Sequence, residues 1–125
     1  MTGKRLVKAG ARAALSAVFV YSGPQVARNP GPRVQKAADL GLPRPELATR
    51  LNGAAMAAAG AAMALGLFPR AAAAALAALL VPTTVGGHAF WRVQDEQSRR
   101  LQQIQFAKNV GLLGGLLLVA VDEEA

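Results

Sequence analysis

The sequence predicts an all-α fold, a polytopic membrane protein built as a bundle of four transmembrane helices. Three observations predict it. Long uncharged runs alternate with short basic segments, hydrophobic residues make up 53% of the 125-residue chain, and charged residues make up only 17%. A bilayer core about 30 Å thick needs roughly 20 mostly apolar residues per spanning helix, and four stretches approach that length. Their basic flanks fit cations held at the headgroup level.

The first span, residues 9–23, is interrupted by Arg12 and closed by Pro24. Arg12 can reach back toward water, which lengthens the usable stretch. A secretory signal competes for this segment, because Lys4, Arg5 and Lys8 precede it, but no small-x-small cleavage pattern follows. The second span, 51–68, carries one polar residue, Asn52, near its start. The third, 71–91, holds no charged side chain; its polar interruptions are Thr83, Thr84 and His88. The fourth, 104–121, is apolar after Asn109, with Gln105 and Lys108 confined to its first turns. An Ala-rich soluble bundle is the competing fold. Such helices need a polar face at every turn, and the stretch 71–90 offers none.

Between the first two spans lie Pro24, Pro30, Pro32, Pro43 and Pro45, so this connection cannot be one helix. Within it, Arg33 to Leu40 predicts a short surface helix stopped by Gly41. The turn Gly66 to Arg70 joins antiparallel neighbours, and Arg92 to Gln103 reads as a solvated interfacial segment. Four spans place both termini on one side. That side carries Lys4, Arg5, Lys8, Arg12 and Arg70; the other carries the larger set Arg28, Arg33, Lys36, Arg44, Arg50, Arg92, Arg99 and Arg100. The positive-inside rule then favours termini outside the cell membrane. The acidic tail Asp122, Glu123, Glu124 reads as a solvated end.

Composition excludes several chemistries. With no cysteine and one histidine, the chain supplies no disulfide, thiol redox centre or Cys-ligated metal. The net charge of +7 raises the question of nucleic acid, but aromatics are only 5% and do not interleave with the charge. No nucleic-acid partner is expected. No nucleophile–base pair, carboxylate dyad, metal-ligand cluster or phosphate-cradling glycine loop is present. A transporter lacks support, because no span carries a second ionisable partner.

Helix association in lipid relies on small residues and interhelical hydrogen bonds. Gly53, Ala57 and Gly60 share one side of the second span, and Gly111 with Gly115 forms a small-xxx-small pair on the fourth. These predict tight packing within one chain in preference to a dimer contact, although an oligomer stays open. The polar residues inside the spans mark the candidate site. Thr84, His88 and Trp91 are spaced i, i+4, i+7 on the third helix; Gln102, Gln105 and Asn109 are spaced i, i+3, i+7 on the fourth. If the faces meet, His88 reaches Asn109 or Gln105, with Asn52, Tyr21 and Gln25 at the same level. One account makes these residues interhelical glue plus an aromatic belt of Tyr21, Phe90, Trp91 and Phe106. The other makes Thr84, His88, Trp91, Gln105, Asn109 and Asn52 a polar pocket at the membrane edge for a quinone headgroup, with His88 moving a proton.

The order Pro82-Thr83-Thr84, His88-x-Phe90-Trp91, Gln103-x-Gln105-Phe106-x-Lys108-Asn109 and Gly114-Gly115-Leu116 resembles the DoxX family of small four-helix membrane proteins. Gly-Leu-Pro-x-Pro at 41–45 and the turn from Gly60 to Arg70 are similar too, so the resemblance runs from Arg12 to Leu118. It implies a multi-pass protein of the bacterial inner membrane, linked in some members to thiosulfate:quinone oxidoreductase subunits and to assemblies with superoxide- and sulfur-handling enzymes. Many members carry an acidic residue one turn before the glycine that aligns with Gly60; this chain has Met56 there and Asn52 a turn earlier. That departure weakens the carry-over of proton-relay chemistry to this chain. The resemblance therefore implies a non-catalytic subunit or scaffold of a membrane redox assembly, partnered by the lipid bilayer and a soluble or membrane oxidoreductase. The alternative is a quinone-binding oxidoreductase subunit. No intrinsic cofactor is expected.

Overall fold

The computed structural model describes residues 2–123, which form helices and turns with no strand among the described residues. Glu124 of the acidic tail lies outside them. The helices are α1 (Thr2–Arg28), α2 (Arg33–Asp39), α3 (Pro45–Ala64), α4 (Pro69–Gly87) and α5 (Glu96–Ala120), with a 3₁₀ turn at Phe90–Arg92. In space α1 packs along α3, α3 on α4, and α4 on α5, while α5 touches α1 again; short α2 rests on α3 and α4. The start of α1 and the end of α5 meet at one end of the bundle. There Lys8 Nζ lies 2.9 Å from Asp122 Oδ2, and Arg70 Nε donates to the Ala120 carbonyl at 3.2 Å.

Each helix limit differs from the sequence expectation for a local reason. α1 runs through Pro24 to Arg28 instead of stopping at residue 23. Pro24 deletes one backbone hydrogen bond, to the Val20 carbonyl. The extra turn is then held from outside: Arg50 Nη1 of α3 donates to the carbonyls of Ala27 (2.8 Å) and Arg28 (2.9 Å), which a helix end leaves without partners. α3 begins at Pro45, six residues before the apolar run. Proline suits the first helical position, and Arg50 pairs with Glu46 across one turn at 3.0 Å. Arg44 and Phe68, each before a helix-starting proline, adopt left-handed backbone with φ of 47° and 45°. A residue before proline is barred from the right-handed helical region, so the chain turns sharply there.

The surface helix forms nearly as expected, over Arg33–Asp39 with Gly41 at φ 78°. The Leu42 N–H bonds to Ala37 O and the Gly41 N–H to Ala38 O, the paired capping pattern that only a left-handed residue permits. α3 ends on the same pattern at Gly66, with Leu67 N–H on Ala62 O. α4 stops at Gly87 instead of 91, so the i, i+4, i+7 spacing of Thr84, His88 and Trp91 does not describe one helix face. α5 begins at Glu96, which makes most of the expected interfacial segment its first turns. Asp95 caps it by accepting from the Ser98 N–H at 2.9 Å.

The Ser98 backbone hydrogen bond, then the Ser98 side chain, holds the Asp95 carboxyl below its ordinary range. A depressed carboxylate adds stability above the unfolded-state pKa and loses it as pH falls through the folded one. Amide exchange over Glu96–Arg99 is therefore expected to accelerate when pH drops through the carboxylate range. In Asp95→Ala the same amides exchange fast at every pH. Equal exchange in both proteins at neutral pH would remove the cap.

The core is slim: Phe19, Met56, Met63, Leu76, Leu80 and Leu116 with Ala72, Ala73 and Ala77. Large apolar side chains instead face outward, among them Val20, Val81, Val110, Leu117 and Leu118. Outward apolar surface on this scale marks a membrane or partner-covered face. Two helical stretches, Pro69–Arg92 and Glu96–Ala120, are long and apolar enough to cross a bilayer.

The glycines of α3 pack within the chain. A Cβ on Gly23 would lie 2.6 Å from the Gly53 carbonyl oxygen, and one on Gly60 would lie 3.0 Å from Phe19 Cβ. α1 and α3 thus touch backbone to backbone. On α5 only Gly115 meets a neighbour, Leu15, whereas a Cβ on Gly111 would meet nothing within 4 Å.

Candidate functional site

Consecutive threonines of α4 point about 100° apart, so they serve two neighbouring helices. Thr83 accepts from Asn52 Nδ2 of α3 at 2.8 Å; Thr84 accepts from Asn109 Nδ2 of α5 at 3.0 Å. Each hydroxyl spends its own proton on the carbonyl four residues back, Leu79 O at 2.9 Å and Leu80 O at 2.7 Å. Pro82, just before them, has no N–H to offer its own turn. Thr84 and Asn109 are buried, at 7% and 5% exposure. In so dry a setting an unpaired amide or hydroxyl is costly, so the pairs lock α3, α4 and α5 in register.

His88 terminates α4. Its Nδ1 stands 2.7 Å from Gln102 Oε1 on α5, a contact in which the carboxamide oxygen accepts from the tautomer protonated at Nδ1. His88 therefore meets neither Asn109 nor Gln105. Gln105 accepts instead from Lys108 Nζ of its own helix at 2.7 Å. Lys36 Nζ of α2 donates to the Gly87 carbonyl at 2.8 Å, capping the end of α4 beside the imidazole. Trp91 joins Phe90 and Phe106 in three edge-to-face contacts with centroids 5.2, 5.4 and 5.9 Å apart. The Trp91 ring is half-exposed.

The structure thus brings Thr84 with Asn109, Asn52 with Thr83, and His88 with Gln102. It leaves Gln105 on α5 and Trp91 in the aromatic triad. Gln102 is the member that the expected set of site residues omits, although the i, i+3, i+7 face of α5 already contains it. Tyr21 faces outward, and Gln25 lines a separate cavity beside α2. Among the described residues no three His, Cys, Asp or Glu side chains gather to hold a metal. The arrangement contains hydrogen-bond pairs between helices and one imidazole at the rim.

Residues 7–89 match the sequence model of the DoxX family, a stretch that takes in nearly all of α1, all of α2, α3 and α4, and His88. The match ends before α5, so Gln102, Gln105 and Asn109 lie outside it. No curated protein and no solved structure matches the chain at a significant level. Since the family match spans well over half of the sequence and ends at the aromatic turn after α4, the chain belongs to the DoxX family.

Proposed function

We propose that the protein is a non-catalytic membrane subunit of DoxX type, a four-span bundle in a bacterial inner membrane that scaffolds a membrane-associated redox assembly. The observation that carries this reading is the mutual pairing of polar side chains between the helices, buried at Thr84 and Asn109 and partly buried at Asn52 and Thr83. Asn52, Thr83, Thr84 and Asn109 are engaged with one another across helices. With both chain ends at one end of the bundle, the opposite rim carries Arg92 and Arg99, for which the positive-inside rule favours the cytoplasm. Arg100 at that rim pairs with Glu96 at 2.8 Å, a surface contact of little weight. This rim is the docking side for an oxidoreductase partner.

Charge reversal at Arg92, Arg99 and Arg100 is expected to abolish co-purification of an oxidoreductase while helicity in detergent stays unchanged. Retention of the partner by the reversed protein would sink the assignment of that rim.

A second reading is favoured by one observation: His88 is only partly buried and stands two residues before Phe90 and its aromatic triad with Trp91 and Phe106. That is the chemistry of a quinone-headgroup site, in which His88 would exchange the proton. Quinone titration in lipid nanodiscs, followed by Trp91 fluorescence, separates the two. Under the scaffold reading His88→Ala leaves the titration unchanged. Saturable quenching that vanishes in His88→Ala establishes the quinone subunit instead.

A further inference from the structure

The overrun of α1 beyond Pro24 builds a second site. Its last turn carries Arg28, and Arg50 fixes that turn by holding the carbonyls of Ala27 and Arg28. The chain then reverses at Pro30-Gly31-Pro32, where Arg33 N–H bonds to Pro30 O and Val34 N–H to Gly31 O, both at 3.2 Å. Pro30 is buried in this reversal. The result is a cavity of about 330 Å³ lined by Ser22, Gln25, Val26, Arg28, Asn29 and Arg33. That volume falls within the range of about 300–1,000 Å³ usual for small-ligand sites.

The lining selects an anion. Two guanidiniums, two carboxamides and a hydroxyl face it, with no carboxylate, and among the described residues neither Arg28 nor Arg33 forms an ion pair. Ser22 gives its proton to the Val18 carbonyl at 2.6 Å, which leaves the donors to the guanidiniums and the carboxamides. Paired guanidiniums match phosphate oxygens in bidentate geometry. The cavity also has a direction. Ser22 lies six residues deeper along α1 than Arg28, about 9 Å. Tyr21, Gln25 and Arg28 share one helix face, and Tyr21 is 74% exposed on it. Val20 and Ala17, also exposed, continue that outward side of α1, so the cationic mouth opens above an outward apolar stripe.

We propose that this cavity binds the phosphate of an anionic phospholipid headgroup, with Arg28 and Arg33 on the phosphate oxygens, Gln25 and Asn29 on the glycerol end, and the acyl chains lying along the outward Val20 and Tyr21. The shared chemistry is a phosphate group, and the stripe below the mouth assigns its source as lipid. The assignment rests on α1 spanning the membrane, as in the four-span reading above.

Native mass spectrometry from detergent, with phosphatidylglycerol, phosphatidylcholine or inorganic phosphate added, tests it. Wild type is expected to retain phosphatidylglycerol over phosphatidylcholine. The double variant Arg28→Gln, Arg33→Gln loses about tenfold in apparent affinity. A control with the same charge change, Arg92→Gln with Arg99→Gln, keeps it, and both variants keep wild-type helicity. Equal losses in the two variants would overturn the site as mere surface electrostatics. Displacement of the lipid by inorganic phosphate would overturn lipid as the source. Labelling of Ala17→Cys, an exposed position well inside the span, by a membrane-impermeant maleimide in intact vesicles shows whether α1 is in the bilayer. Rapid labelling would mean that the four-span reading has failed. Protection combined with loss of lipid selectivity would mean that only the site has failed.

Discussion

Gly53→Ala is expected to destabilise the protein by about 3 kcal/mol, the upper part of the range for overpacking a close contact. A Cβ at residue 53 would lie 2.7 Å from the Gly23 carbonyl oxygen and 2.9 Å from the Ala27 amide nitrogen. Both are backbone atoms, so no side chain can swing aside. α1 cannot retreat locally either, because Arg50 clamps the carbonyls of Ala27 and Arg28. Alanine's better helix propensity returns about 1 kcal/mol at most. Unfolding in mixed micelles, read by helicity against denaturing detergent, measures the loss. Gly111→Ala is the matched control and is expected to be neutral or slightly stabilising, since its new methyl meets nothing within 4 Å. If the two variants unfold together, the backbone contact between α1 and α3 does not exist.

Thr84→Val is expected to cost between about 1 and 2 kcal/mol, most of it from the other end of the hydrogen bond. The valine fills the space but leaves Asn109 Nδ2 buried without its acceptor at 3.0 Å. Asn109→Leu alone is milder, because the Thr84 hydroxyl keeps its own bond to Leu80 O. In the double variant the orphaned amide is gone, so the double costs less than the sum of the singles. Additive losses would show that the two side chains act independently.

The helices were legible in the sequence, and their limits were not, for reasons local to a few residues. Apolar runs located the centres of α1, α3, α4 and α5. The limit of α1 depends on Arg50, a side chain 22 residues beyond the Arg28 carbonyl it bonds, and no local pattern at Pro24 announces it. The end of α2 was readable because Gly41 is a local signal. The end of α4 was hidden: Gly86 and Gly87 sit in an apolar run, and hydropathy alone does not distinguish a helix from the turn that follows it. At the candidate site, the spacing puts Gln102, Gln105 and Asn109 on one face of α5, but only Gln102 and Asn109 bond across it, to His88 and Thr84. Partner choice was not readable. A helix continued past Gly87 would aim His88 at Asn109 or Gln105; α4 ends at Gly87, and His88 bonds Gln102.

The turn 65–68 between α3 and α4 also bears on how such a protein enters a bilayer. α4 and α5 are apolar enough to partition by themselves, while α3 contains Asn52 and α1 contains Arg12. In the four-span reading, a connection closed at Gly66 and reversed at Phe68-Pro69 leaves α3 no slack to stay behind when α4 inserts. α3 is carried in as the other arm of a hairpin, and α4 supplies the acceptor for its Asn52 in Thr83. α1 then has a preformed glycine track to dock on. Insertion thus becomes a relay in which the most apolar helix supplies the affinity for lipid, and covalent shortness followed by backbone contact spreads it to segments that lack it.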